Sequence, residues 1–563
     1  MNRTRRVLRY LPMAFLFVVL FFLVVVPMGI LLYATFVDTP PRPGAPPAKF
    51  TLDNYAQLLS PDNITALTNT LAVGVGGTVI AVVIGCVLAW LAARTNVPAK
   101  PLVQMAGIMP LFVSSLVGSI AWAVIASPRQ GYVNILMRDL GLPEFVNIYS
   151  RPGLIFVFGL YYAPYVFLFV NSALTLLNPE LEDAAQVHGA NSWRVLRHVT
   201  LKLVTPALLG AATLTLMLIM ENFTVPQVLG SPRGIQTIPT QIYRLMATSP
   251  SQPNVASVAG TVLLVITIAM VIIQRRLLAT RQYVTVTGKG LHPRVRNLGP
   301  WRWVGFAFAV GYILLAVVLP IWALAQSALR PNPYTPNFAS LFDLDQFNLD
   351  IMREALDSQS FQFGLINSIL VGIGTALFGG ALYLLLAYIV HRTDTPGRRY
   401  LQYIAMWPIA VPALVISLGF LWTWIRFPLV YGTLAVLILA YISRLMPQGF
   451  QGVSSSMIQV HKDLEESAFI SGASRLRTVW EILLPLIRTG VASTLMLIFI
   501  LSMRELSVAI FLFTSETQVL SIAIYSEWEG GRLPPVAAMS LLYVALMLVL
   551  TLIGRRFLGI RAG

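Results

Sequence analysis

Residues 464–485 decide how this chain is read. They run Leu464-Glu465-Glu466-Ser467-Ala468-Phe469-Ile470-Ser471-Gly472-Ala473 and close on Ile482-Leu483-Leu484-Pro485. A near copy stands earlier as Leu181-Glu182-Asp183-Ala184-Ala185-Gln186-Val187-His188-Gly189-Ala190, then Val199-Thr200-Leu201-Lys202 and Pro206. Each stretch predicts a short helix with acidic residues in its first turn, where the helix dipole favours them. Small residues follow, then a glycine that permits a sharp turn and close backbone approach. Apolar residues then lead into the next apolar run. Such an element suits docking into a groove of another protein. A single copy would be weak evidence, because connecting loops often hold such residues. Two copies in register are not expected of ordinary loops.

The surroundings of both stretches are apolar. Of 563 residues, 56% are hydrophobic and 11% charged, where a soluble domain carries about 25% charged residues. Mean hydropathy is +0.74. An ordinary soluble enzyme and a disordered chain are both excluded. The single Cys86 excludes an internal disulfide framework and a cysteine zinc site. The five histidines are scattered and suggest no metal centre. A membrane helix needs about 20 mostly apolar residues. Runs of that kind fall near 11–36, 68–93, 103–126, 153–177, 207–229 and 254–274, and again near 303–327, 366–390, 401–425, 428–450, 490–513 and 535–554. A membrane β-barrel would alternate over segments of about 10 residues instead. The expected fold is all-α and polytopic, with twelve transmembrane helices.

The first run follows Arg3, Arg5, Arg6 and Arg9. It is longer than a signal-peptide core and no A-x-A site follows, so it reads as a retained helix with a cytoplasmic N-terminus. On that orientation the cytoplasmic segments carry 26 Lys/Arg and the external ones 11. This is the asymmetry of the positive-inside rule. It accounts for the net charge of +16 through topology and anionic lipid. No nucleic-acid motif accompanies that charge.

The repeat extends beyond the two loops. Asn69-Thr70-Leu71 and Asn367-Ser368-Ile369 are 298 residues apart. So are Arg94-Thr95-Asn96-Val97-Pro98 and Arg392-Thr393-Asp394-Thr395-Pro396, and Pro110 and Pro408. The offset then falls to 283 for Pro164 and Pro447 and for Gly189 and Gly472, because the first half has a longer external loop around 127–152. The chain therefore divides into a first six-helix half at 1–274, a cytoplasmic linker at 275–302 and a second six-helix half at 303–563. An even number of spans per half makes the repeat parallel, with a pseudo-twofold axis along the membrane normal. A pathway between the halves is the natural place for a substrate.

The paired loops resemble the signature of the permease component of binding-protein-dependent ABC importers of the type I fold: E-A-A, three residues, G, nine residues, I-x-L-P. The second copy matches at Glu466-Ser467-Ala468, Gly472, Ile482, Leu484 and Pro485. The first matches at Asp183-Ala184-Ala185, Gly189, Val199 and Leu201, with Lys202 in place of the proline. The resemblance implies that the loops containing Glu182, Asp183, Ala184, Ala185, Gly189 and Ala190, and Glu465, Glu466, Ser467, Ala468, Gly472, Ala473 and Pro485, are coupling helices. Each would receive one of two cytoplasmic ABC ATPase subunits. It also implies an extracytoplasmic substrate-binding protein and a bacterial inner-membrane location with both termini cytoplasmic. The chain lacks a G-x-x-x-x-G-K-[ST] phosphate loop, and Gly288-Lys289-Gly290 is not one. ATP is thus expected on the partner subunit, with no cofactor or metal bound here and no catalytic residues.

The fused twelve-helix form, and the stretch Arg281-Gln282-Tyr283-Val284-Thr285-Val286-Thr287-Gly288-Lys289-Gly290, resemble ferric-iron permeases, with thiamine and aminoethylphosphonate permeases as relatives. The resemblance implies ferric iron as cargo, with thiamine, phosphonate or polyamine as alternatives. An ion-coupled secondary transporter would also have twelve spans in two halves, but it leaves the paired loops unexplained.

Charges inside the membrane are costly and tend to be functional. Glu221 and Arg504 align near the ends of the fifth and eleventh spans, Asn222 aligns with Glu505, and Arg444 lies late in the tenth. In the resembling family the fifth helix of each half lines the path. Glu221, Asn222, Arg504 and Glu505 are therefore candidate gate or pathway residues, with structural contacts between the halves, or a place at the membrane interface, as the alternative. Pro110, Pro164, Pro408 and Pro447 are expected at kinks. Trp122 and Trp424 are expected in interfacial belts.

Overall fold

A computed structural model describes residues 3–178, 180–279, 295–332 and 335–557. The linker stretch Arg281 to Gly290 quoted above lies outside the described residues, as does most of the 275–302 segment. The described residues form helices joined by short turns, with only two isolated β-bridges among them.

Among the described residues nine helices are long and apolar enough to cross a bilayer, and two further bent pairs qualify if each is one span. The bent pairs are the third and ninth expected spans. Lys100–Phe112 and Ser115–Ala126 meet at 97°, and Arg398–Ala410 and Ala413–Trp424 at 113°. Pro110 and Pro408 each sit in the single 3-10 turn before the break. A proline ring cannot supply the N–H that would continue the ladder. Beyond the first break, the Ser114 hydroxyl accepts the Val117 N–H at 3.3 Å and starts a new helix. The tenth expected span is the helix Leu434–Ile458, which carries Ser443, Arg444, Gln448 and Gln451 and is correspondingly less apolar.

The fifth spans differ most from expectation. The apolar runs suggested 207–229 and 490–513. The helices instead run Trp193–Met220 and Arg475–Met503. They start in the polar loop and stop early, so the apolar residues after 220 and 503 belong to a chain that folds back. Short helices follow, Ile238–Ala247 and Leu520–Glu529. Hydropathy alone does not distinguish a folded-back apolar segment from the top of a helix.

The first helix of each half leans on the other half, and prolines hold it there. Pro27 has no N–H for the Leu23 carbonyl, which accepts the Ser443 hydroxyl from the second half at 2.8 Å. Pro164 likewise frees the Leu160 carbonyl, which accepts the Tyr312 hydroxyl from the second half at 2.8 Å. Proline is tolerated in membrane helices where a neighbour satisfies the freed group. Within the first half, the second and fourth spans pack backbone to backbone. A Cβ on Gly85 would come within 2.7 Å of the Ala163 carbonyl oxygen. Trp122 is not in an interfacial belt. It is 5% exposed and packs edge-on against Phe156 at 4.8 Å. Trp424 is half-buried against Phe427.

Candidate coupling surfaces and translocation path

The two loops fold alike. The first forms the helix Glu180–Val187 and the second Asp463–Ile470. Both end in the same turn. The N–H of Ala190 bonds to the Ala185 carbonyl at 3.0 Å, and that of Ala473 to Ala468 at 3.0 Å. Gly189 and Gly472 between them have φ +82° and +85°. This is the left-handed cap that ends many helices and favours glycine. A Cβ at either glycine would meet nothing within 4 Å. The glycine is thus needed for its backbone angle, not for space. Asn191 and Ser474 then accept the N–H groups of Arg194 and Arg477 at 2.9 and 3.3 Å and start the next helical segment.

Both helices present apolar side chains to solvent at matching positions. Leu181 and Leu464 are 49% and 47% exposed, Val187 and Ile470 85% and 87%, and Trp193 and Leu476 65% and 73%. Asp183, Ala184, Glu466 and Ser467 are exposed, and Ala185 is half-buried. Large apolar residues exposed together mark an interaction surface. Pro485 is exposed near the start of the eleventh helix. Lys202, its counterpart, occupies the same place in the fifth.

On the inner side each helix is tied to the end of a membrane span. Glu182 stands 3.7 Å from the Arg94 guanidinium, and its other oxygen accepts the Thr200 hydroxyl at 2.6 Å. Glu465 stands 3.1 Å from Arg392 Nε. Arg392 also donates to the carbonyls of Met457 and Val460 at 2.5 and 2.6 Å. Burial raises the Glu465 pKa, opposed by the nearby Arg392 and Lys462 charges. The sequence reading named both glutamates but not their partners. The signal was present: both arginines open the repeated Arg-Thr-x-x-Pro stretch, and both glutamates precede the loop signature.

The four candidate path residues lie just past the ends of the fifth-span helices, with Glu221 and Arg504 as the first residues beyond each. They do not play equal parts. Glu221 forms a salt bridge with Arg444 at 2.5 Å, which joins the two halves. Arg444 also donates to the Val411 carbonyl at 3.1 Å. Asn222 donates to the Tyr162 hydroxyl and accepts the Val225 N–H, both at 2.9 Å. Glu505 accepts the Val508 N–H at 3.1 Å, so it shapes the chain reversal. Arg504 is half-buried and forms no salt bridge among the described residues. Sequence reasoning singled out Arg444 but did not join it to Glu221. Among the described residues no three His, Cys, Asp or Glu side chains are placed to hold a metal ion.

Two loop helices that fold alike and expose apolar side chains at matching positions, in a chain of long apolar helices, suit a membrane protein that docks partners at two like surfaces. Residues 3–282 and 368–559 match the model of the family described as "Binding-protein-dependent transport system inner membrane component", and the chain belongs to that family. It is 28% identical over 435 residues to the ferric transport system permease protein FbpB of Actinobacillus pleuropneumoniae, a match spanning 75% of this chain and 61% of that protein. It is 28% identical over 473 residues to the putative ferric transport system permease protein FbpB 1 of Haemophilus influenzae, spanning 82% of this chain and 72% of that protein. The spermidine/putrescine permease protein PotB of Salmonella typhimurium is 26% identical over 33% of this chain and 65% of its own length. A bacterial ABC transporter that imports alginate contains a chain aligning at 22% identity with a TM-score of 0.38, over 42% of this chain and 85% of that one.

Proposed function

We propose that this chain is the permease of an ATP-driven importer that takes ferric iron from an extracytoplasmic binding protein and passes it between the two halves into the cytoplasm. Both termini and both coupling helices face the cytoplasm on this reading, with one ABC ATPase subunit docked on each helix. ATP is bound and hydrolysed on those subunits, and the permease supplies no catalytic group and holds no cofactor. It converts ATPase closure into a rigid-body exchange between inward-facing and outward-facing states.

The observation that carries this reading is the register-matched exposure of Leu181, Val187 and Trp193 with Leu464, Ile470 and Leu476. Two like surfaces suit two copies of one partner. The ferric cargo is supported by the two ferric permease relatives, which match most of this chain. The test is uptake of radiolabelled ferric iron by iron-starved cells with and without the gene. Gene-dependent uptake that is blocked by vanadate and indifferent to ionophores is expected. Unchanged ferric uptake where the gene is expressed contradicts the cargo and moves it to polyamine, phosphonate or thiamine. Ionophore-sensitive, vanadate-resistant uptake contradicts the ATPase and points to an ion-coupled carrier.

A further inference from the structure

The seam between the halves is closed by aromatic rings on the side away from the coupling helices. The short helices Ile238–Ala247 and Leu520–Glu529 are held in the same register. The Ile238 N–H bonds to the Thr70 hydroxyl at 2.8 Å, and the Leu520 N–H to the Ser368 hydroxyl at 2.7 Å. Tyr243 and Tyr525 stand at the same place in each helix. They meet across the seam, ring centroids 6.2 Å apart and planes at 79°. Phe223 and Phe511 flank Tyr243 at 5.2 and 6.2 Å. A cavity of about 400 Å³ opens beside Tyr243 and Phe511, lined also by Arg42, Trp422 and Tyr431.

Between the two phenols lies one carboxylate. Tyr243 Oη is 3.4 Å from both oxygens of Glu529, and Tyr525 donates to Glu529 as well. Glu529 is exposed, and among the described residues no cation forms a salt bridge with it. The other acidic groups nearby are neutralised: Glu527 by Arg532, Asp62 by Arg244 and, deeper, Glu221 by Arg444. A seal made only of rings needs no charge. This one has a carboxylate held by two phenols, one from each half, with no salt bridge among the described residues.

We propose that Tyr243, Tyr525 and Glu529 form a three-oxygen contact site for the ferric ion at the outer mouth of the path. The proposal rests on the ferric reading above. A hard cation prefers oxygen ligands, and phenolate oxygen is an established ligand of protein-bound iron. On binding, two phenolic O–H bonds break and two iron–oxygen bonds form. The carboxylate supplies a third, and two protons leave to the external medium. The iron stays ferric throughout, so no reductant is needed. Two phenolates and one carboxylate balance a charge of three, so the occupied site is neutral. An ion bound there faces one phenol from each half, so separation of the halves would break the site and release the ion inward.

The test uses the purified full chain in detergent, titrated with ferric nitrilotriacetate and followed by visible absorption. The expected result is a phenolate-to-iron(III) charge-transfer band. Tyr243→Phe and Tyr525→Phe keep the rings, and so the packing. Each is expected to weaken apparent ferric affinity by about 10-fold or more, and the double variant to abolish the band. Glu529→Gln is expected to retain the band with weaker binding. No band in the intact protein, or a band that survives in the double variant, overturns the proposal. Gene-dependent ferric uptake in cells, measured in parallel, separates the two failures. Uptake without a tyrosine-dependent band removes this site and leaves the transport reading standing. Absence of gene-dependent uptake removes the transport reading and the site's cargo with it.

Discussion

The two coupling helices share a backbone and differ in how they are anchored. The first, Glu180–Val187, buries no residue. Its Glu182 divides its bonds between Arg94, at 3.7 Å, and the Thr200 hydroxyl. The second, Asp463–Ile470, buries Glu465 and Ala468. Its Glu465 lies 3.1 Å from Arg392, which grips two carbonyls at the end of Leu434–Ile458, where Arg94 grips the single Leu177 carbonyl at 3.2 Å. The caps, the glycine angles and the exposed apolar positions are the same. The exposed faces of the two helices are alike, and the faces toward the spans differ. The second helix is therefore the one more firmly tied to the spans.

The largest break in this comparison should come from the arginines. Arg392→Ala leaves Glu465 buried without its partner, and removing one member of a buried pair costs about 3–5 kcal/mol. Arg94→Ala should cost less, because Glu182 is more exposed and keeps Thr200. Thermal unfolding and uptake by the two variants should show this order, and equal losses would contradict the difference in anchoring. The glycines should behave alike instead. Gly472→Val and Gly189→Val each force a β-branched residue to positive φ, and the left-handed region costs a residue about 1–2 kcal/mol. Both should insert normally into the membrane and lose ATPase docking to a similar degree. Normal uptake by the Gly472 variant would remove the docking argument.

Smaller effects sharpen the account. Glu505→Ala removes a carboxylate that accepts one backbone N–H, a cap-like bond worth about 0.5–2 kcal/mol. A modest drop in melting temperature with altered transport kinetics is expected. Unchanged kinetics would make Glu505 purely structural, whereas Glu221→Ala should be worse in either measurement because it strands Arg444. Smallest of all should be Lys202→Pro, which gives the first loop the proline of the second. Proline inside a helix usually costs about 3 kcal/mol, but Pro485 already occupies the matching place in the helix Arg475–Met503, so stability and uptake should both stay near the parent values. A large loss would show that the two loops tolerate proline differently.

The loops and the spans could be read from the sequence because each has a local signature. A polar island in an apolar chain, a run of about 20 apolar residues and a repeated proline all survive without tertiary information. The ends of the fifth spans could not be read that way. The stretch from Leu506 to Phe513 is as apolar as the helix before it, and only packing decides that it turns back. Side-chain partners were hidden for a related reason. Glu221 and Arg444 are 223 residues apart, and nothing near either one points to the other. Arg392 and Glu465 were more accessible, since both recur in the other half at matching places. Trp122 was misplaced because a tryptophan near a span end is usually interfacial, and here the bend of the third span carries it into the core.

The most direct test of the account is site-specific cross-linking at the two loops. Cys86 is the sole cysteine, so Cys86→Ala gives a clean background for single cysteines placed by Glu466→Cys and Asp183→Cys. The account predicts that both positions cross-link in native membranes to the same ATP-hydrolysing polypeptide, with loss of both products in the corresponding Gly472 and Gly189 variants. Cross-linking at neither position, or at only one of them, would contradict two like docking surfaces for a pair of ATPase subunits.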